Sequence, residues 1–277
     1  MESISEHNSI MDDPNNRERI RDVRSGVTHE IVHRNDEFNE RFPVVVYLGL
    51  GTTALTSTGQ LYLDAYAEKI QRPIVTIETP ARAFLSFEQQ AESQLRALHE
   101  YGVIQFDVTG ASVGAIAASE LAAQAQADAL NLVTVSIPNT RSSAVAYARR
   151  VPFQFVDGLQ ESLAVLRRGE FRQVIGPGAS NLFNARKIPE LIHTTKEIFN
   201  TKLDDMPSML AASTHWTDIV GARDRMTDFK DHMRVVRARN EIHPGSSTSL
   251  LVADQGHTWV TRRRYLAALI GTILDEK

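Results

Sequence analysis

The sequence contains no cysteine. It therefore has no disulfide, no thiolate-bound metal and no cysteine nucleophile. This absence fits a reducing compartment. The first residues also lack the basic and apolar regions of a secretory signal, so we expect a cytoplasmic location.

Long apolar runs and a strong net charge are missing as well. No stretch approaches eighteen unbroken apolar residues, which predicts no membrane span and no membrane partner. The formal net charge is only −4, so no positive field would gather nucleic acid. No P-loop, EF-hand or H-E-x-x-H pattern occurs, and we expect neither a cofactor nor a metal. A small, largely apolar molecule is the expected substrate and partner, and the sequence does not indicate an oligomeric state.

The remaining composition is that of an ordinary globular protein. The chain has 277 residues, of which 42% are hydrophobic and 23% charged, enough for one full core. Residues 1–22 are polar and carry a turn-rich run at 12–16, which indicates a mobile leader. We predict a single domain over residues 23–277.

Strand-like and helix-like segments alternate along most of this domain. Residues 43–48 form a β-branched run closed by glycine, which is typical of a buried parallel strand. The alternation predicts an α/β fold, with a mostly parallel central sheet flanked by helices and a site at the carboxyl ends of its strands. The other predicted strands are 27–32, read as an edge strand, 74–77, 103–108, 132–137, 216–220 and 249–253.

The alternation stops between about residues 139 and 213. The pattern there is helical and is interrupted by prolines and glycines. We predict a helical cap inserted into the sheet domain.

A candidate nucleophile lies at the end of one predicted strand. Gly110-Ala111-Ser112-Val113-Gly114 matches G-x-S-x-G, in which the glycines permit a sharp turn that exposes the serine hydroxyl. The pentad stands between a β-rich run and an alanine-rich helix. The helix N-terminus and the Val113 amide can therefore face a developing oxyanion. This setting predicts Ser112 as a catalytic nucleophile.

A serine nucleophile needs a base and an acid that orients it. Asp224 follows the predicted strand 216–220, and His257 follows the strand ending at residue 253. The carboxyl ends of parallel strands lie at one edge of a sheet, which predicts a Ser112–His257–Asp224 triad. Asp218 and Asp228 lie close to Asp224 in sequence, and aspartates in loops also serve as helix or turn caps.

At this point the chain resembles the α/β-hydrolase superfamily over nearly everything after residue 26. Leu48-Gly49-Leu50-Gly51 is similar to the oxyanion loop His-Gly-x-Gly, with Leu48 in the histidine position. Glu78-Thr79-Pro80 is similar to the following Asp-x-Pro turn, and the Ser112, Asp224 and His257 segments match the elbow and the last two strand ends. The resemblance implies a serine hydrolase, most simply a carboxylic ester hydrolase. Its second oxyanion donor would be the amide of Leu50, or of Gly51 if the loop is shifted.

Other functions remain open on the sequence alone. An acyltransferase or thioesterase could use the same triad, and a relative of this fold could bind a ligand without turnover. The turn at residues 109–114 also resembles the phosphate loop of short-chain dehydrogenases, which bind NAD(P). Against that alternative, the turn comes late in the chain and no Tyr-x-x-x-Lys occurs.

Overall fold

The computed structural model describes residues 17–38, 40–49, 53–80, 83–138, 188–200, 203–224, 227, 229–253, 255–256, 260 and 262–275. Within them lies one eight-stranded sheet of order β1-β2-β4-β3-β5-β6-β7-β8. The strands are β1 (Arg17–Arg21), β2 (Thr28–Arg34), β3 (Val44–Tyr47), β4 (Ile74–Glu78), β5 (Phe106–Ala111), β6 (Ala129–Val135), β7 (His215–Gly221) and β8 (Ser247–Val252).

Strands β3 to β8 are parallel, whereas β2 pairs antiparallel with both β1 and β4. The predicted mostly parallel sheet is therefore confirmed. Ala111 pairs with Val135, and Val135 pairs with Ile219. The carboxyl ends of β5, β6 and β7 thus meet at one edge, as crossover connections require.

Helices cover both faces of the sheet. Side chains alternate along each strand, so that Val45 and Tyr47 of β3 join one apolar cluster while Val44 and Val46 join the other. The helices described are α1 (Ser57–Lys69), α2 (Phe87–Tyr101), α3 (Val113–Ala125), α4 (Ile188–Asn200), α5 (Met206–Met209), α6 (Phe229–Ile242) and α7 (Arg263–Asp275). Helices α2, α3 and α6 pack on the first face, and α1 and α7 on the second.

The fold begins earlier than the sequence indicated. Residues 17–21, assigned above to the mobile leader, form β1 and pair with β2. This makes β1 the edge strand and moves β2 to the interior of the sheet. Only Ile20 of β1 is buried, because an edge strand gains its backbone hydrogen bonds without needing an apolar sequence. Residues 1–16 lie outside the described residues.

A buried carboxylate fixes the β1–β2 hairpin to α2. Asp22 accepts hydrogen bonds from Ser93 Oγ at 2.7 Å and from Arg96, whose Nη2 lies 2.7 Å away. The Arg96 guanidinium holds the pKa of Asp22 well below its usual range. Ser93 Oγ also lies 2.7 Å from His29 Nε2. Burial lowers the pKa of His29 to about 4, so this imidazole is neutral in the fold near neutral pH.

The predicted cap is described only at its end. Its residues 139–187 lie outside the described residues, and 188–200 form α4. The chain then returns to the sheet through a 3-10 turn, Leu203–Asp205, and the short helix α5.

A buried arginine anchors the segment that connects α5 to β7. Arg239 of α6 donates hydrogen bonds to the carbonyls of Pro207, Leu210, Ala211 and Thr214. These acceptors span the turn between α5 and β7, and the guanidinium has no exposed surface. The planar group satisfies several backbone acceptors at once, which a lysine would do less well.

In the part of the chain that is described, no helix is both long and apolar enough to cross a bilayer.

Candidate active site

Ser112 occupies the sharp junction between β5 and α3. Its backbone angles are φ 55° and ψ −124°, a conformation that a non-glycine residue adopts at a cost of about 1–3 kcal/mol. Such strain persists only where surrounding structure enforces it. Here the Ser112 amide donates to Val135 O at 2.8 Å, and its carbonyl accepts from Ala115 N at 2.9 Å.

The two glycines of the pentad are required by close backbone contacts. A Cβ on Gly110 would lie 2.2 Å from the Gly114 oxygen, and a Cβ on Gly114 would lie 2.4 Å from the Leu48 oxygen. Real Cβ atoms do not approach backbone this closely. The G-x-S-x-G pattern is therefore explained by geometry, with α3 packed directly against the end of β3.

The same packing brings the glycine loop after β3 beside the serine. A Cβ on Gly49 would lie 3.5 Å from Ala111 O and 3.9 Å from Ser112 Cβ. Val113, the first residue of α3, is buried, and its amide is one of the helix N-terminal groups that lack a partner within the helix. Leu50 and Gly51, the two candidates for the second oxyanion donor, lie outside the described residues.

Asp224 lies three residues beyond the end of β7. Its backbone amide donates to Gly221 O at 3.0 Å, and its Oδ1 accepts from Thr227 N at 3.2 Å. The side chain is largely buried. The residue thus has the position at the carboxyl edge of the sheet that the sequence predicted for it.

The loops after β7 and β8 are joined by backbone hydrogen bonds. Ala222 N donates to Val252 O at 2.9 Å, and Arg223 N donates to Gln255 O at 2.8 Å. Arg223 immediately precedes Asp224, and Gln255 precedes the predicted base by two residues. His257 itself lies outside the described residues, so its side chain is not placed here.

Asp218, the other described aspartate near this loop, pairs with His232. It lies within β7, is fully buried, and its Oδ2 is 2.6 Å from His232 Nδ1. Thr134 donates to its Oδ1 at 2.9 Å. Burial disfavours the His232 imidazolium, but the Asp218 carboxylate outweighs it and raises the pKa of His232. Asp224 is therefore the better placed acid. Asp228 lies outside the described residues.

The carboxyl group of Glu78, for which the sequence predicted no role, lies next to the glycine loop after β3. Glu78, at the end of β4, accepts a hydrogen bond from Ala54 N at 2.6 Å. Burial raises its pKa to about 7. The only sequence signal was its position in the Glu78-Thr79-Pro80 turn, where the resembled family has aspartate.

Glu78 also borders a cavity of about 130 Å³ beside the elbow. The described residues that line it include both polar side chains and the backbone on either side of Ser112. They are Tyr47, Leu48, Gly49, Thr76, Ile77, Glu78, Phe87, Gln90, Val113, Gly114 and Ala117.

A larger cavity, of about 480 Å³, lies beyond Phe87 between α2, α3 and α5. It combines apolar side chains such as Ile116 and Met206 with carboxylates. Its described acidic residues are Glu88, Glu120, Glu197 and Asp205. Among the residues whose positions are given, no group of three or more histidine, aspartate or glutamate side chains is arranged to hold a metal ion.

Comparisons with known proteins identify the architecture. No family model matches the chain, and no curated protein matches it at a significant level. Solved structures do match. A hydrolase from Pseudomonas aeruginosa is 15% identical with a TM-score of 0.67, over 95% of this chain and 99% of that one.

Two other solved structures give the same result. An α/β-hydrolase enzyme from a Medee basin deep-sea metagenome is 13% identical with a TM-score of 0.67, covering 91% of this chain and 96% of its own. An esterase from Thermogutta terrifontis is 14% identical with a TM-score of 0.64, covering 94% and 98%. The chain has the α/β-hydrolase fold, as the sequence resemblance predicted. The glycine-rich turn at residues 109–114 follows the fifth strand of this sheet, not the first, where a dinucleotide-binding turn belongs.

Proposed function

We propose that the protein is a serine hydrolase that cleaves an ester-like bond of a small substrate through an acyl-enzyme on Ser112. The observation that carries the proposal is the backbone of Ser112, a non-glycine residue with φ 55° at a strand-to-helix junction. A strained turn between a strand and a helix is the conformation that presents a serine nucleophile above the sheet.

His257 would act as the base in this reaction. It would take the Ser112 proton as the serine oxygen attacks the substrate carbonyl carbon. The amides of Val113 and Leu50 would donate hydrogen bonds to the oxygen that becomes negative. The protonated imidazole then gives its proton to the leaving group, and water repeats the sequence on the acyl-enzyme.

Asp224 would orient the imidazole and stabilise its charged form. Two observations support it over Asp218. The Asp218 carboxylate is fully buried against His232, and the loop of Asp224 is hydrogen-bonded to the loop that leads to His257. A carboxylate in this role keeps the correct imidazole tautomer.

The first test is labelling of the purified protein with a fluorophosphonate, followed by mass spectrometry of the adduct. We expect one labelled residue, Ser112, and no label on Ser112→Ala. Ser136 is a matched control because it directly follows β6, is fully buried and also has a positive φ, of 51°. Ser136→Ala should still be labelled. Folded protein that reacts at neither serine would contradict the proposal.

Hydrolysis and acyl transfer differ in the second half of the reaction, in which the acyl-enzyme reacts with water or with another acceptor. With an activated ester as donor, a hydrolase releases the free acid at a rate that added alcohols, amines or thiols hardly change. An acyltransferase would form the new ester, amide or thioester in proportion to the acceptor concentration.

A further inference from the structure

We propose that the substrate carries a positively charged ammonium group on its acyl part, two or three bonds from the scissile carbonyl, and that Glu78 is its binding partner. This inference rests on the proposed function, because it assigns the substrate class of the same site. It concerns the small cavity beside Gly49 and Val113.

The cavity has the right place and size for a short acyl group. Gly49 and Val113 line it, and these residues lie on either side of the Ser112 elbow. Its volume of about 130 Å³ exceeds several-fold the roughly 10–15 Å³ that one water molecule needs, so the cavity accommodates a short acyl group.

Within the described part of the chain, the Glu78 carboxylate has no counter-charge. Its hydrogen bond comes from the neutral amide of Ala54, and among the described residues no lysine, arginine or histidine forms an ion pair with it. Burying a charge without a partner is costly. A ligand ammonium would supply the missing partner in a place where hydrogen bonds to charged groups are worth most.

The described groups on the strands next to Glu78 give it no positively charged partner. On β2, Glu30 lies opposite it in the antiparallel register and already pairs with Arg19 at 3.0 Å. On β3, Tyr47 is buried and its hydroxyl donates to Gln94 at 2.6 Å. His29, whose ring contacts the adjacent residue Thr79, is held neutral by burial, which lowers its pKa to about 4.

The neighbouring 480 Å³ cavity carries the same sign of charge. Burial and the nearby Glu88 and Asp205 carboxylates raise the pKa of Glu120. No described residue lining either cavity is a lysine or an arginine. A cleft lined by one sign of charge concentrates ligands of the opposite sign. The described walls of both cavities therefore favour cations, and Glu78 is the one carboxylate among the described residues that line the smaller cavity.

The experiment compares two esters of nearly equal shape, phenyl 3-aminopropanoate and phenyl butanoate, which differ by an ammonium in place of a methyl group. At pH 8 the amine is charged and Glu78 is ionised. We expect kcat/KM to be about 10- to 100-fold higher for the ammonium ester, the range expected for a hydrogen bond to a charged group. Uncatalysed hydrolysis of each ester is subtracted.

The variants assign the preference to one side chain. Glu78→Gln should abolish the preference for the ammonium ester. Glu68→Gln should keep this preference, because it makes the same change at an exposed position on α1, where Glu68 pairs with Lys69. Glu78 binds the ammonium only when ionised and its pKa lies near 7 in the free protein. The wild-type preference should therefore grow as the pH rises from 6 to 8, and Glu78→Gln should remove that dependence.

Three results would overturn the inference: no preference for the ammonium ester, a preference that survives Glu78→Gln, or equal slowing of both esters by this change. The last result would mean that Glu78 only holds the Ala54 segment. If Ser112 is labelled by the fluorophosphonate but the preference is absent, the inference fails while the hydrolase proposal stands.

A binding measurement decides the inference if neither ester is turned over. Calorimetry of Ser112→Ala with 3-aminopropanamide and with butanamide should show the charged amide binding more tightly. Binding with that preference, but without turnover or labelling, would support the cation site and contradict the hydrolase proposal. Equal binding of the two amides would reject the site.

Discussion

Gly114→Ala tests whether the elbow is as tightly packed as the structure indicates. The new Cβ would lie 2.4 Å from the Leu48 oxygen and 2.6 Å from the Tyr47 oxygen. Carbon and oxygen atoms normally stay about 3.4 Å apart, so α3 and the end of β3 must separate by about 1 Å. Both obstacles are backbone atoms, so no side-chain rotation can relieve the contact.

The expected cost follows from that movement. Overpacking a well-packed interior costs about 1–3 kcal/mol, and the upper end applies because backbone has to shift. The shift also moves Gly49 and the following loop away from Ser112. Misplacement by about 1 Å at a catalytic centre costs on the order of 100-fold in rate. We therefore expect about 3 kcal/mol lower stability and about 100-fold slower fluorophosphonate labelling.

Urea unfolding followed by tryptophan fluorescence measures the first quantity, since Trp216 is fully buried. Gly49→Ala is the matched control, because its Cβ would make only ordinary contacts of 3.5 and 3.9 Å. It should change the free energy of unfolding by less than about 1 kcal/mol. An unfolding midpoint of Gly114→Ala equal to that of the wild type would refute the packing argument.

Further predictions concern the acid and the buried polar groups. Asp224→Asn should lower turnover by about 10⁴, because the imidazole loses its correct tautomer, and near-normal kcat would identify another acid. Asp22→Asn should reduce the free energy of unfolding by about 2–4 kcal/mol in urea melts, since it removes the buried one of the two carboxylates that pair with Arg96. For His29 the unfolded chain binds a proton near pH 6.5, but the folded protein does so only near pH 4. Stability should therefore fall as the pH is lowered from about 6.5 to 4, and His29→Gln, if it still folds, should show a shallower fall in urea melts across that range.

The parallel part of the fold could be predicted because its strands are buried on both faces. Such strands are continuous β-branched runs, as in β3, and they alternate with segments in which apolar residues recur at helical spacing. β1 was not found, because an edge strand with one buried residue has the composition of a polar tail.

The site was predictable where chemistry depends on local sequence. The Ser112 elbow needs two glycines at fixed spacing, and a pattern of this kind can be recognised in the sequence. The environment of Glu78 could not be predicted from the sequence, because it depends on Ala54. Ala54 lies 24 residues earlier in the chain and comes close to Glu78 only in the folded protein. The Asp218–His232 pair is invisible for the same reason. The triad of Ser112, Asp224 and His257 stays a prediction.

The buried Arg239 has a consequence for how this scaffold can be altered. Its four carbonyl partners begin at Pro207, within the last part of the predicted cap, so the sheet domain holds the chain directly after Asp205. Recombination that exchanges the segment between Pro138 and Asp205 would leave these four hydrogen bonds in place. The incoming segment must supply apolar side chains where Ile198 and Leu203 now pack, because both belong to the core cluster on the first face of the sheet. With those two positions kept apolar, this boundary suits the construction of chimaeras.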